Sequence, residues 1–142
     1  MENVIHCKPL VAGRVSGQIL KSNQTISFWG GVDPATGVVT DPRHELFGQS
    51  ITGKVLLFPY GKGSAAAPMV LLELVRQKTG PVAIINVELD PLLVAGPVIS
   101  KHFYDSQVVV ALIGRGDFDK LQTGCDCVVD TDRQELSYRP VA

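Results

Sequence analysis

The sequence predicts a mixed α/β chain in which one β-layer stacks on another and helices cover the outer face. Three observations lead there. Strand-like segments crowd the first part of the chain, to about residue 60, and beyond it strand-like and helical segments alternate. Hydrophobic residues make up 45% of the 142 positions, and a chain of that length buries roughly 70% of its extended surface without metal or disulfide staples. Taken in order, the strand candidates are Val4 to Cys7, Arg14 to Leu20, Lys54 to Phe58, Val82 to Val87, Val108 to Leu112 and Cys127 to Asp130. Pro68 to Gln77 reads as a helix because Val70, Leu71, Leu74 and Val75 share one face, and Thr79-Gly80-Pro81 ends it. Asp90-Pro91 has the form that opens a second helix, and Asp117 to Gln122 is a short third. With no repeat, linker or low-complexity stretch, residues 1–142 read as one domain.

Composition excludes several function classes. Net charge is −1 and charged residues are 19%, which gives no electrostatic footprint for nucleic acid or an anionic membrane. The longest apolar run, Val108 to Ile113, is far short of the ~20 residues of a membrane span. Glu2, His6 and Lys8 interrupt the N-terminus before a signal-peptide core forms, so a cytoplasmic protein is the expectation. Three cysteines, an odd number, fit a reducing compartment. Cys125 and Cys127 form a C-x-C pair whose side chains share one face of a strand. A zinc or iron–sulfur site needs more ligands than this pair and Cys7 provide, so no metal site is expected in this chain and the thiols read as small buried hydrophobes.

Two segments carry chemistry. Between Val55 and Leu74 an apolar strand runs through Gly61-Lys62-Gly63-Ser64 into the helix that opens at Pro68. Glycine at 61 and 63 permits positive φ and close approach of a bound group, and the free N–H groups of the helix start favour negative charge near Ser64. The same serine also fits an ordinary helix cap. The turn matches neither the Walker pattern nor Gly-x-Ser-x-Gly, because Ala66 stands at the last glycine position. The second segment, Ile26 to Gly37, reads ISFWGGVDPATG and leads to Asp41-Pro42-Arg43-His44. Trp29, the only tryptophan, adjoins Gly30 and Gly31. Asp33-Pro34-Ala35-Thr36-Gly37 is turn chemistry, and a hairpin anchored by its aromatic pair is the plain structural reading.

ISFWGGVDPATG, DPRH and the GKGS turn, in that order, resemble the swivel domain, or small subunit, of the aconitase X family of dehydratases. PLVAGRVSG at 9–17 precedes these motifs and LLEL at 71–74 follows, and the likeness extends to about Gly124. The resemblance implies an aconitase-type swivelling β/β/α domain that docks on a large subunit holding an iron or iron–sulfur cluster, with no cofactor in this chain. It implies that Ser64 is the general base that takes a proton from a carbon next to a carboxylate while hydroxide leaves at the metal. A serine alkoxide needs concentrated positive charge, which the helix terminus, Lys62 and the partner can supply. Gly61, Lys62, Gly63, Trp29, Gly30, Gly31 and His44 are the implied cleft residues, with the Phe28–Gly31 loop beside Ser64 and facing the partner. Ala65-Ala66-Ala67 follows Ser64 where relatives commonly place glycine and a second serine, so contacts of that second serine do not transfer. The implied substrate is a small hydroxy acid. The 81–99 segment leans toward cis-3-hydroxy-L-proline, with mevalonate 5-phosphate as the alternative. A non-catalytic anion-binding or regulatory module of the same fold is the alternative from a different class.

Overall fold

Short apolar runs bounded by Gly, Pro and Asp become strands here, and the one clear amphipathic repeat becomes the first helix. The structure is a computed structural model that describes residues 3–28, 30–61, 67–104 and 108–141. Its strands are β1 (Asn3–His6), β2 (Lys8–Val11), β3 (Arg14–Lys21), β4 (Val32–Asp33), β5 (Val38–Val39), β6 (Val55–Leu57), β7 (Ala83–Asn86), β8 (Val109–Leu112), β9 (Asp126–Asp130) and β10 (Glu135–Arg139). The helices are α1 (Ala67–Arg76), α2 (Pro91–Tyr104) and α3 (Arg115–Lys120).

An eight-stranded sheet has the order β1-β10-β9-β3-β6-β7-β8-β2. Its first half is antiparallel, and β3, β6, β7 and β8 run parallel. Two stretches of continuous chain join the halves. β3 pairs Arg14–Gln18 with β9 and Ile19–Lys21 with β6, while β1 and β2, at opposite ends of the order, are separated only by Cys7. The halves therefore fold over each other around a shared interior.

Side chains of the parallel strands alternate between two cores. Val55, Leu57, Ala83, Ile85, Val109 and Ala111 point inward, to Val129 and Leu136 of the antiparallel half and to Phe118 of α3. Leu56, Ile84 and Val110 point outward, beneath Leu71 and Leu74 of α1 and Leu93 of α2. Burial on both faces explains why β6 reads VLL without a polar position. Each Val, Leu or Ile among them contributes about 1.5–3 kcal/mol relative to exposure. The result is sheet on sheet with a helical layer outside, the β/β/α arrangement expected.

The predicted helices form, the third beginning at Arg115 instead of Asp117. β2 and β10 were not among the predicted strands. Pro9 interrupts β2, and an edge strand tolerates a residue without an N–H. In β10 only Leu136 and Tyr138 are buried, a pattern too short to stand out from the polar tail. Among the described residues no helix is long and apolar enough to cross a membrane.

Candidate functional site at the ends of the parallel strands

Beyond Leu57, where β6 ends, the chain runs on as an arm, Phe58-Pro59-Tyr60-Gly61, that bends at Pro59. Phe58 N–H donates to Ile85 O at 3.2 Å, and the buried Asn86 closes the strand ends by donating from Nδ2 to Phe58 O at 2.8 Å. Val87 N–H donates to Pro59 O at 2.9 Å. On the other flank of the arm, Ile26 forms a parallel bridge with Gly61, and Thr25 Oγ1 donates to Tyr60 O at 2.6 Å. The two chemistry-bearing segments of the sequence thus run side by side.

Gly61 does not use the positive φ that glycine permits. What requires glycine there is close packing, since a Cβ at this position would collide with the carboxylate of Asp90 and with Leu93. Lys62, Gly63, Ser64 and Trp29 lie outside the described residues. α1 begins at Ala67 with Pro68 in its first turn, as its sequence predicts.

The segment after Ile26 forms the hairpin of β4 and β5. Asp33 Oδ1 accepts from Ala35 N–H at 3.0 Å, and Gly37, at φ 72°, closes the turn by donating its N–H to Asp33 O at 2.7 Å. Phe28 is 1% exposed, with its ring centroid 6.2 Å from that of Phe58. That corrects the expectation for the aromatic loop at this residue: Phe28 belongs to the domain's own core and not to a partner-facing surface. Thr40 N–H donates to Gly31 O at 2.9 Å, and Thr40 Oγ1 reaches Gly30 O at 3.4 Å, which ties the glycine pair to the chain entering the DPRH turn.

Glu45 anchors that turn. Ser22 Oγ donates to Glu45 Oε1 at 2.5 Å and Asn23 N–H donates to the same oxygen at 2.7 Å, while Glu45 N–H donates to Gln24 Oε1 at 2.7 Å. The Ser22 hydrogen bond, chiefly, holds the Glu45 carboxyl below its usual range. Arg43 N–H donates to Asp41 Oδ1 at 3.0 Å and is the main reason why the Asp41 carboxyl is also held low. His44 is half-buried, and its Nδ1 accepts from Leu46 N–H at 3.0 Å. Between this turn and the glycine-pair loop lies a cavity of about 80 Å³ lined by Thr25, Ser27, Gly31, Asp41 and His44, with Ile26 and Val39. Of the implied cleft residues, Gly31 and His44 share this cavity, and Gly61 borders it through its bridge to Ile26.

The thiols are elsewhere. Cys7, Cys125 and Cys127 are free, buried and part of the inner core, so Cys125 and Cys127 do share a face. Burial pushes the Cys127 thiol up to about 12 and raises that of Cys7. A metal ligand must be a thiolate, so these side chains do not fit as a cluster site. Among the described residues no group of three or more ligating side chains converges.

Sequence reasoning missed Thr25 and the Ser22–Glu45 clamp. Thr25 carries no local signal, and Glu45 finds its partner only because the chain after β3 returns beside the turn.

Comparison with known proteins agrees with this architecture. Residues 4–138 match the sequence model of the family described as the aconitase X swivel domain. The phosphomevalonate dehydratase small subunit of Pyrococcus horikoshii is 44% identical over 122 residues, covering 86% of this chain and 85% of the relative. That of Methanosarcina acetivorans is 48% identical over 112 residues, covering 79% and 74%. The crystal structure of Thermococcus kodakaraensis aconitase X in its holo-form superposes with a TM-score of 0.84 at 35% identity, covering 97% of this chain and 99% of that one.

Proposed function

The chain belongs to the aconitase X swivel-domain family, and from that premise we infer that it is the small subunit of a hydro-lyase acting on mevalonate 5-phosphate. Residues 1–142 act as one swivel domain that closes over a large subunit. Of the two substrates weighed from the sequence, the relatives favour mevalonate 5-phosphate over the hydroxyproline toward which the 81–99 segment leaned. The iron or iron–sulfur cluster belongs to the large subunit, because the three thiols of this chain are buried in its inner core and burial raises the pKa of Cys7 and Cys127. Three unpaired thiols suit a reducing compartment such as the cytoplasm.

The observation that carries the reading is the pairing of Ile26 with Gly61. Three residues of extended chain reach at most about 11 Å, so a residue at 64 stays within that reach of both Gly61 and Ala67. The base assigned to Ser64 then works beside the glycine-pair loop, near the N-terminus of α1, where free N–H groups favour developing negative charge. Ser64 takes the proton from the carbon next to the carboxylate, the C–H electron pair becomes the new C=C bond, and the hydroxyl on the neighbouring carbon departs with its C–O pair as hydroxide, for which the iron of the large subunit would supply the Lewis acid. Tyr60, Met69 and Leu89 stand exposed at this same end of the parallel strands, at 48%, 72% and 56%, an apolar fringe suited to a partner surface.

The test is reconstitution. The chain and its large subunit, purified separately and then mixed, should dehydrate mevalonate 5-phosphate, and neither should do so alone. Turnover of cis-3-hydroxy-L-proline instead would move the substrate to the other branch. A stable complex that turns over neither would leave a non-catalytic module.

A further inference from the structure

The arm that leads toward Ser64 is not held as a strand is. In a regular parallel ladder Phe58, whose N–H donates to Ile85 O, would accept at its own carbonyl from Val87 N–H. Here Val87 N–H and Glu88 N–H both donate to Pro59 O, at 2.9 and 3.1 Å, so the ladder slips by one residue at the bend. Phe58 O is thereby left to a side chain. Asn86, 2% exposed, supplies the donor from Nδ2 at 2.8 Å, as a buried carbonyl requires.

Past the bend a second side chain takes over, because Tyr60 O accepts from Thr25 Oγ1 at 2.6 Å. Thr25 and Asn86 flank the arm from opposite sides, one beside the Ile26 bridge to Gly61 and the other at the end of β7. Gly61 itself has little room to shift, since one added carbon there would collide with the Asp90 carboxylate and with Leu93. A displacement at Tyr60 is therefore passed along the chain. Thr25 acts only through this route, because its hydroxyl carries a single proton and that proton goes to Tyr60 O.

We propose that Thr25 is a positioning residue for the base, its hydroxyl fixing Tyr60 so that the chain leaving Gly61 carries Ser64 to the carbon that loses its proton. The assignment rests on the dehydratase reading with Ser64 as base, and it names the side chain that sets the reach of that base. A general base must come within hydrogen-bond distance of the proton it removes. Misplacement by about 1 Å can cost about a hundredfold in rate.

The experiment uses the reconstituted complex with mevalonate 5-phosphate and reads kcat, KM and the melting temperature together. Thr25→Val keeps the shape and loses the donor, so kcat should fall by about tenfold or more while KM and the melting temperature stay near wild type. Thr25→Ser, which keeps the donor, should recover most of kcat. In the Ser64→Ala background Thr25→Val should lower the remaining turnover no further, because the two residues act as a unit. Four results would each overturn the assignment: unchanged kcat in Thr25→Val, a rise in KM or a fall in melting temperature that accounts for the loss, a serine variant no better than the valine one, or a further tenfold loss on top of Ser64→Ala. Should Thr25→Val fail to fold, Thr25→Ala is compared with Thr25→Ser in the same way. Failure of both to fold makes Thr25 a residue of the fold alone and overturns the assignment too. A wild-type complex inactive on mevalonate 5-phosphate and on cis-3-hydroxy-L-proline sinks the dehydratase reading, and this inference with it. An active wild type whose kcat is untouched by Thr25→Val sinks the inference alone.

Discussion

The two cores on either side of β6, β7 and β8 are equally well buried, yet they differ in chemistry. The inner core, between the antiparallel and parallel halves, holds Cys7, Cys125 and Cys127 among aliphatic side chains and Phe118. The outer core lies under α1 and α2 and extends into the loops through Ile26, Phe28, Val32 and Leu46. At its edge are the polar cavity, the DPRH turn and the arm to Ser64. The thiols, the most ligand-like side chains of the sequence, thus occupy the driest region, where burial holds Cys7 and Cys127 protonated. Reactivity belongs instead at the strand ends, where loops can leave polar groups unpaired without opening a core.

If that division holds, substitutions on the loop side should change rate and those in the inner core should change stability. The largest effect is expected from Ser64→Ala, which should lower kcat of the reconstituted complex by about 10²–10⁴-fold with at most about 1 kcal/mol lost from the melting curve. Retention of most of the activity would break the comparison on its functional side.

Phe118→Ala is the matching core probe. Phe118 is fully buried, and Lys21 Nζ lies 4.6 Å from its ring centroid while donating to Phe118 O and Leu121 O. Denaturant melts should show a loss of about 3–5 kcal/mol, and the folded fraction should keep its specific activity once complexed.

Cys127→Ser sharpens the case for inert thiols. A hydroxyl in that apolar interior costs about 1–3 kcal/mol, and kcat should not change. Activity lost at unchanged melting temperature would mean that the thiols do chemistry after all. In the wild type, with Cys127 pushed up to about 12, alkylation at pH 8 should wait for unfolding. The folded thiol ionises later than the unfolded one, so this group's contribution to stability is present below the ordinary value of 9.0 and declines as pH rises above it.

The smallest effect belongs to the clamp under the DPRH turn. Glu45 is held below its ordinary value of 4.5, so its contribution is present above that pH and is lost as pH falls through the folded-state pKa. Glu45→Gln should flatten the acid limb of the stability profile. Because the residue is exposed, the change at neutral pH should stay under about 1 kcal/mol. An unchanged acid limb would show that the turn is held by its backbone bonds alone.

What the sequence determined by itself was local. The amphipathic spacing of Val70, Leu71, Leu74 and Val75 set α1, the unbroken apolar runs set the buried parallel strands, and Asp33 to Gly37 set the hairpin turn, because each signal is complete within a few residues. β2 and β10 stayed illegible because their pairing comes from β8 and β9 and not from their own pattern. Tertiary structure alone brought Thr25 to Tyr60 across 35 positions, set Ser22 against Glu45, and buried His44 Nε2 without a partner. The physical reason is that a hydrogen bond between distant residues depends on strand order, and strand order is decided by which apolar faces bury each other across the whole chain.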